Sequence, residues 1–163
     1  EGDWFQDQQH GYGIYHFANN NRYEGMWYQD YQHGEGTMYY YTGDVYEGNW
    51  KNDKREGQGT YTWKEGARYT GSWAGDKKNG QGTQTWSDGS RYTGTWKENQ
   101  FAGEGTFEYA NGDKYVGSWE NGVQHGQGIY HFHTGERYEG NYINGQRTGQ
   151  GVEGFRIMGS KVA

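Results

Sequence analysis

The sequence predicts an all-β protein, an elongated single-layer antiparallel sheet made of about seven copies of a 23-residue β-hairpin. Three observations predict it. A tyrosine recurs at Tyr23, Tyr46, Tyr69, Tyr92, Tyr115 and Tyr138, always 23 residues on. A Gly-x-Gly pair recurs at the same step, as Gly11/Gly13, Gly34/Gly36, Gly57/Gly59, Gly80/Gly82, Gly103/Gly105, Gly126/Gly128 and Gly149/Gly151. Between these landmarks, apolar or small residues alternate with polar ones at the period of a strand. A fixed step of this length marks stacked repeats, so function has to be read from columns of equivalent residues.

The unit beginning at Arg68 shows how each element arises. Tyr69, Gly71 and Trp73 share one strand face, and Arg68, Thr70 and Ser72 share the other. A polar loop is expected over Ala74 to Asn79, with the second strand starting at Gly80. In that strand Gly82, Gln84 and Trp86 point one way and Thr83 and Thr85 the other. Ser87-Asp88-Gly89-Ser90 then reads as the tight hairpin turn, because Asp-Gly supports positive φ at both central residues. Fourteen such strands spaced by roughly 4.8 Å would extend on the order of 65 Å. The first repeat is truncated, with Gly2 and Trp4 in their columns and no leading Tyr. The last one decays, so the array is expected to span residues 1–155 and residues 156–163 to form a cap or linker.

Composition narrows the classes. Low hydrophobicity and a net charge of -6 would suit disorder, but 8 Trp, 17 Tyr and 6 Phe do not. The absence of Cys fits a reducing compartment. No apolar run approaches the roughly 20 residues of a membrane span, and no signal peptide is visible. The chain opens on Glu1 rather than Met, so a preceding segment is expected. The acidic balance argues against nucleic acid as the partner.

The aromatic columns are the candidate binding surface. One runs Trp4, Trp27, Trp50, Trp73, Trp96, Trp119 and Tyr142. A second runs Phe17, Tyr40, Trp63, Trp86, Tyr109, Phe132 and Phe155. A mixed column runs Tyr15, Met38, Tyr61, Gln84, Phe107, Tyr130 and Glu153. By parity all share a face with glycines, over whose bare backbone a ring can lie. The Trp and leading Tyr columns are expected to form a thin core. The candidate partner-binding rings are Tyr15, Tyr40, Tyr61, Trp63, Trp86, Phe107, Tyr109, Tyr130 and Phe132. Gln84 and Glu153 would present polar interruptions to a ligand.

The opposite face carries Thr37, Thr60, Thr83 and Thr106 beside a basic column, Arg22, Arg68, Arg91, Lys114 and Arg137. The ordinary account is a solvated face with cross-strand ion pairs beside Glu24, Glu47 and Glu139. The alternative is a spaced basic stripe for an anionic lipid or acidic partner.

Nothing in the sequence composes an active site, and no cofactor or metal is expected. His10, His33 and His125 share a column on separate units. His131 and His133 could share a strand face, with no third ligand. Asp7, Asp30, Asp53 and Asp76 read as polar turn residues without calcium-loop spacing. Gly-Gln-Gly neither extends to a dinucleotide fingerprint nor opens a helix, and Ser72 and Ser118 lack a repeated neighbouring base.

Tyr-x-Gly-x-Trp, a polar loop, Gly-x-Gly-Thr, an aromatic and Asp/Asn-Gly, at 23-residue spacing, resemble the MORN (membrane occupation and recognition nexus) repeat, as do Lys51-Asn52-Asp53 and Glu120-Asn121-Gly122. The resemblance implies a non-catalytic β scaffold that grips a partner helix or extended segment along its aromatic groove. Among the family's members it is most similar to cytoskeletal scaffolds, radial spoke heads above all. That implies a cytoplasmic, cytoskeleton-associated protein, in a cilium or axoneme, with other proteins of a large assembly as partners and an end-to-end homodimer as a further expectation. The alternative readings are an anionic phospholipid module at a membrane, a carbohydrate binder and a regulatory module of an enzyme.

Overall fold

The structure is a computed structural model that describes residues 2–5, 8–148, 152–155 and 160–162. Its contacts divide the chain into a first unit, Glu1–Gly80, and a second, Gln81–Ala163. Sixteen strands and no helix occur among the described residues. The first unit holds β1 (Gly2–Phe5), β2 (Gln8–His16), β3 (Arg22–Tyr28), β4 (Tyr31–Tyr39), β5 (Val45–Lys51), β6 (Lys54–Thr62) and β7 (Arg68–Ala74). The strand β8 (Lys77–Thr85) carries the chain into the second unit. That unit continues with β9 (Arg91–Lys97), β10 (Gln100–Glu108), β11 (Lys114–Glu120), β12 (Val123–His131) and β13 (Glu136–Ile143). It closes with β14 (Gln146–Arg147), β15 (Val152–Phe155) and β16 (Ser160–Val162). Within each unit every strand pairs antiparallel with its neighbour in the chain, β13 pairing with both β14 and β15. The all-β antiparallel expectation therefore holds.

The two turns of each repeat are exchanged relative to the sequence reading. The stretch expected as a polar loop, Ala74 to Asn79, is strand except for Gly75-Asp76, whose φ values are +56° and +70°. Asn52-Asp53 at +50° and +70° and Glu98-Asn99 at +47° and +71° match it. Two residues at positive φ make a type I′ turn, whose twist suits the flanking strands. The Asp-Gly end is the longer connection. There Trp86 N–H bonds Ser90 O and Gly89 N–H bonds Trp86 O, both at 3.0 Å. Gly89 takes φ +94°, while the Asp88 carboxylate accepts the Ser90 N–H at 2.9 Å. Asp88 is thus spent on a side-chain turn, and the glycine alone reverses the chain.

Glycines run across the strands in register: Gly13, Gly25, Gly36, Gly48, Gly59 and Gly71 in the first unit. Gly94, Gly105, Gly117, Gly128 and Gly140 do so in the second. The leading tyrosines lie flat on these rows. Tyr23, Tyr46, Tyr69, Tyr92 and Tyr115 are fully buried. Each donates its hydroxyl to a carbonyl three residues on, Tyr46 to Asn49 O at 2.9 Å and Tyr69 to Ser72 O at 2.8 Å. A Cβ on Gly36, Gly59, Gly105 or Gly128 would occupy the space of that phenol.

The tryptophans complete the core. The indole N–H groups of Trp27, Trp50, Trp73, Trp96 and Trp119 donate to the second glycine of the preceding Gly-x-Gly, Trp50 to Gly36 O at 3.1 Å and Trp96 to Gly82 O at 3.0 Å. Tyr23, Tyr46 and Tyr92 each meet their own Trp edge-on and then the Trp of the next repeat: Tyr46 lies 5.1 Å from Trp50 and 5.4 Å from Trp73. In the second unit Tyr92 lies 5.1 Å from Trp96 and 5.5 Å from Trp119. Such T-shaped pairs add roughly 0.5–1.5 kcal/mol each beyond their buried area. The expectation that the Trp and leading Tyr columns form the core is met from Tyr23 to Tyr142, whereas Trp4, on the first strand, is 64% exposed.

Two outcomes follow. Gly59→Ala drives a methyl into the Tyr46 phenol and should cost about 3 kcal/mol, whereas Gly66→Ala, with nothing within 4 Å of its Cβ but a φ of +108°, should cost about 1–2 kcal/mol. Denaturant titration of the two variants checks the order. Burial raises the pKa of the five fully buried phenols, Tyr69 to about 12. A raised folded-state pKa contributes stability that is present below the unfolded value and lost above it. Stability should fall steeply as pH climbs past 10, with the last phenols ionising only as circular dichroism reports unfolding.

Candidate functional site

The second strand of each hairpin lays a further course of rings over this core. In the first unit Tyr40 lies 5.7 Å from Tyr61, and Tyr61 lies 4.6 Å from Trp63. Tyr15 lies 4.7 Å from Phe17 and is 46% exposed. In the second unit an unbroken row runs Trp86–Phe107 (5.3 Å), Phe107–Tyr109 (4.5 Å), Tyr109–Tyr130 (5.7 Å) and Tyr130–Phe132 (4.7 Å). Apart from Tyr15, the candidate rings are all half-buried, sealed on one side and open on the other. Gln84, expected to interrupt the surface, is only 2% exposed and out of a ligand's reach. Glu153 and Phe155 lie outside the residues whose side chains are described.

Carboxylates at the long turns fix two of these rings. The Tyr61 hydroxyl donates to Asp44 Oδ2 at 2.7 Å, and Asp44 Oδ1 accepts the Lys64 N–H at 2.9 Å. Tyr130 donates to Asp113 Oδ2 at 2.8 Å, and the other oxygen accepts the His133 N–H at 2.8 Å. His133 Nδ1 lies 2.9 Å from the same oxygen. Burial pushes the Asp113 carboxyl up, but bonds from His133, Tyr130 and Asn111 outweigh it and hold the group at about 2. Burial and the Asp44 bond raise the Tyr61 phenol. His133 lies beyond the end of β12, so the two histidines do not share the strand face expected of them. Among the described residues no group of three or more acidic or histidine side chains could hold a metal ion.

A further column stands on the aromatic face unforeseen: Gln9, Gln32, Arg55, Lys78, Phe101, Gln124 and Arg147. Arg55 lies 4.7 Å over the Trp73 ring and 5.3 Å over Tyr61. Lys78 Nζ lies 5.0 Å over Trp63 and 5.4 Å over Tyr69. Burial, then the Arg55 charge, lowers Lys78 to about 8. Phe101 stacks on Tyr92 at 4.1 Å, and Arg147 lies 4.7 Å over Tyr138. The signal was in the sequence. Arg55 has the parity of Gly57, Tyr61 and Trp63, and the second strand begins three residues before its first glycine, at Lys54.

The turn aspartates do more than tolerate the turn. Asp30, Asp53 and Asp76 accept the backbone N–H of Gln9, Gln32 and Arg55 at 2.6, 2.8 and 2.8 Å. Each therefore latches its I′ turn to the preceding hairpin. Arg55 Nε adds a 3.1 Å bond to Asp76. Asp7 lies outside the described residues. Of the histidine column, His125 serves the same join, its Nδ1 accepting the Asn144 N–H at 3.3 Å.

The basic column stands on the opposite face. Arg22 pairs with Glu24 at 2.8 Å, Arg91 with Glu108 at 3.0 Å and Arg137 with Glu139 at 2.8 Å. Arg68 and Lys114 are exposed there. This face bonds laterally through Thr60–Thr70 at 3.1 Å and Gln58–Ser72 at 2.7 Å.

The MORN repeat model matches residues 1–22, 23–45, 46–68, 69–91, 92–114, 115–137 and 138–156. No curated relative matches the sequence. In fold the chain is similar to the TCP domain of Drosophila melanogaster SAS-4 (dCPAP), solved in complex with a proline-rich motif of Ana2 (dSTIL). That similarity has a TM-score of 0.57 at 14% identity, over 93% of this chain and 82% of that one. The TCP10c domain of Drosophila melanogaster Sas-4 gives a TM-score of 0.52 at 14% identity, over 93% of this chain and 90% of that one.

The Asp113 cluster has an acid signature. Its carboxyl sits below its ordinary 3.8, so its stabilisation is present above about pH 4 and lost as pH falls towards 2. Thermal melts of the native chain and Asp113→Asn should differ at neutral pH and converge in acid.

Proposed function

The chain belongs to the MORN-repeat family, and from that premise we propose that it is a scaffold whose aromatic face grips an extended segment of a partner protein. One observation carries the reading. The fold buries the Tyr–Trp ladder from Tyr23 onward and leaves a second course of rings half-open in a row. A half-desolvated aromatic row is the kind of surface on which binding hot spots form. The SAS-4 TCP domain, similar in fold, is in complex with a proline-rich motif, a peptide of this extended class. Nothing in the reading calls for catalysis. The proposed setting is a cytoplasmic cytoskeletal assembly, as in the scaffold members of the family, with a radial spoke head as the specific form of it. The basic column is the weaker candidate surface, since three of its cations already pair with carboxylates.

Photo-crosslinking amino acids placed at Trp63 on the ring course and at Thr70 on the opposite face, in cells that express the protein, test this. Discrete adducts to one or a few polypeptides are expected at Trp63 and not at Thr70. Adducts at Thr70 alone would move the site to the other face. Detergent extraction should leave the protein in the insoluble cytoskeleton, and release with membrane lipid would overturn the setting.

A further inference from the structure

The ring course of the first unit has a period and a charge pattern that together specify an occupant. Successive repeats place equivalent side chains two strands apart, about 9.6 Å at ordinary strand spacing. A segment lying across the strands contacts every hairpin alike only if its own side chains recur at that interval. Polyproline II does so, with three residues per turn and about 9.3 Å per turn. An extended β segment repeats a face every 6.6–6.8 Å or so, and an α-helix turns every 5.4 Å or so. Neither matches one hairpin.

Charge supplies the second half. Along the first unit the inward column reads Gln9, Gln32, Arg55, Lys78. The two cations stand at equivalent positions of consecutive repeats, one segment turn apart. Each head lies over rings of the course, Arg55 at 5.3 Å from Tyr61 and Lys78 at 5.0 Å from Trp63. Asp76 bonds the Nε and one Nη of Arg55, while a guanidinium offers five N–H donors. Proline rings stack on flat aromatic faces, and a carboxylate beside them would meet a partly desolvated cation.

We propose that the first unit receives a proline-rich polyproline-II segment carrying acidic residues three apart, with one acid at Arg55 and the next at Lys78. This rests on the proposed scaffold function and names the partner's chemistry. The triplet facing Gln32 carries no charge, so the acidic pair also fixes the register.

The test uses the full chain and synthetic peptides of about twelve residues, roughly four polyproline-II turns. One peptide repeats Pro-Pro-Glu. Others space the same glutamates two or four apart, or replace them with Gln or Lys. Binding is followed by tryptophan fluorescence and calorimetry at low and high salt. The Pro-Pro-Glu peptide should bind at least about tenfold tighter than each of the others, with an advantage that shrinks in salt. Lys78→Glu should remove that advantage and favour the Pro-Pro-Lys peptide. Lys78→Gln, which adds no charge, should remove it without the reversal. Circular dichroism of both variants confirms folding. Equal binding of the triplet and respaced peptides overturns the register match, and equal binding of the Glu and Gln peptides overturns the charge match. If no proline-rich peptide binds while the Trp63 crosslinker still captures a polypeptide, the occupant is wrong and the scaffold reading stands. If the crosslinker also captures nothing, both fall.

Discussion

The whole inner face depends on what the glycine rows lack. A phenol can lie flat on the backbone only where paired strands carry no Cβ. Gly48 and Gly59 face each other in the ladder with the Tyr46 ring across them. That placement sets the ring's height, which lets its hydroxyl reach a carbonyl three residues on and its edges reach two indoles. The indole N–H then ties back to a glycine carbonyl on the neighbouring strand. One absent atom per strand thus organises a hydrogen bond, two ring contacts and a cross-hairpin tie. A single sheet needs such a device because no second layer covers its face.

The first glycine of each Gly-x-Gly has a different task. Gly34 and Gly57 sit at φ +85° and +80°, where the register of β3 with β4 and of β5 with β6 shifts. Only the hairpin's own pairing is bulged there, and the pairing to the next hairpin continues regularly. A one-sided bulge re-aims the residues before it. It brings Arg55, already on the ring face by parity, opposite Trp50. That pairing and the glycine column are consequences of one backbone feature.

This explains how much the sequence disclosed. The period, the strand parity and the buried columns were legible because each is a repeated local rule. The turns were misassigned because Asp-Gly satisfies two geometries, and tertiary packing chose between them. At Ser87–Ser90 the Asp88 side chain bonds the backbone, while Gly75-Asp76 accepts positive φ at both positions and gains a bond to the previous hairpin. That gain lies between repeats, where no propensity within one repeat can report it. Misplacing the turn concealed Arg55 and Lys78, the residues that make the ring course chemically specific. Gln84 departs from expectation for a related reason: parity gives a residue's face but not the height of its neighbours.

A repeat protein acquires specificity where equivalent positions stop being equivalent. The Tyr, Gly and Trp columns vary little because the core admits little else. The inward column varies freely, from Gln32 to Arg55 to Lys78 and, in the second unit, from Phe101 to Gln124 to Arg147. These side chains share a backbone position and rest on the same rings, so exchanging one for another leaves the ladder beneath intact. Such a position can change charge without disturbing the fold, which is what a surface that distinguishes partners requires. The long turns show the same separation. Asp44 and Asp113 both receive a ring hydroxyl, while Ala67 and Ser90 occupy the equivalent place between them in the chain. Tyr61 and Tyr130 are therefore held by a carboxylate that the hairpins of Ala67 and Ser90 lack, and such anchoring, like charge, is set one hairpin at a time.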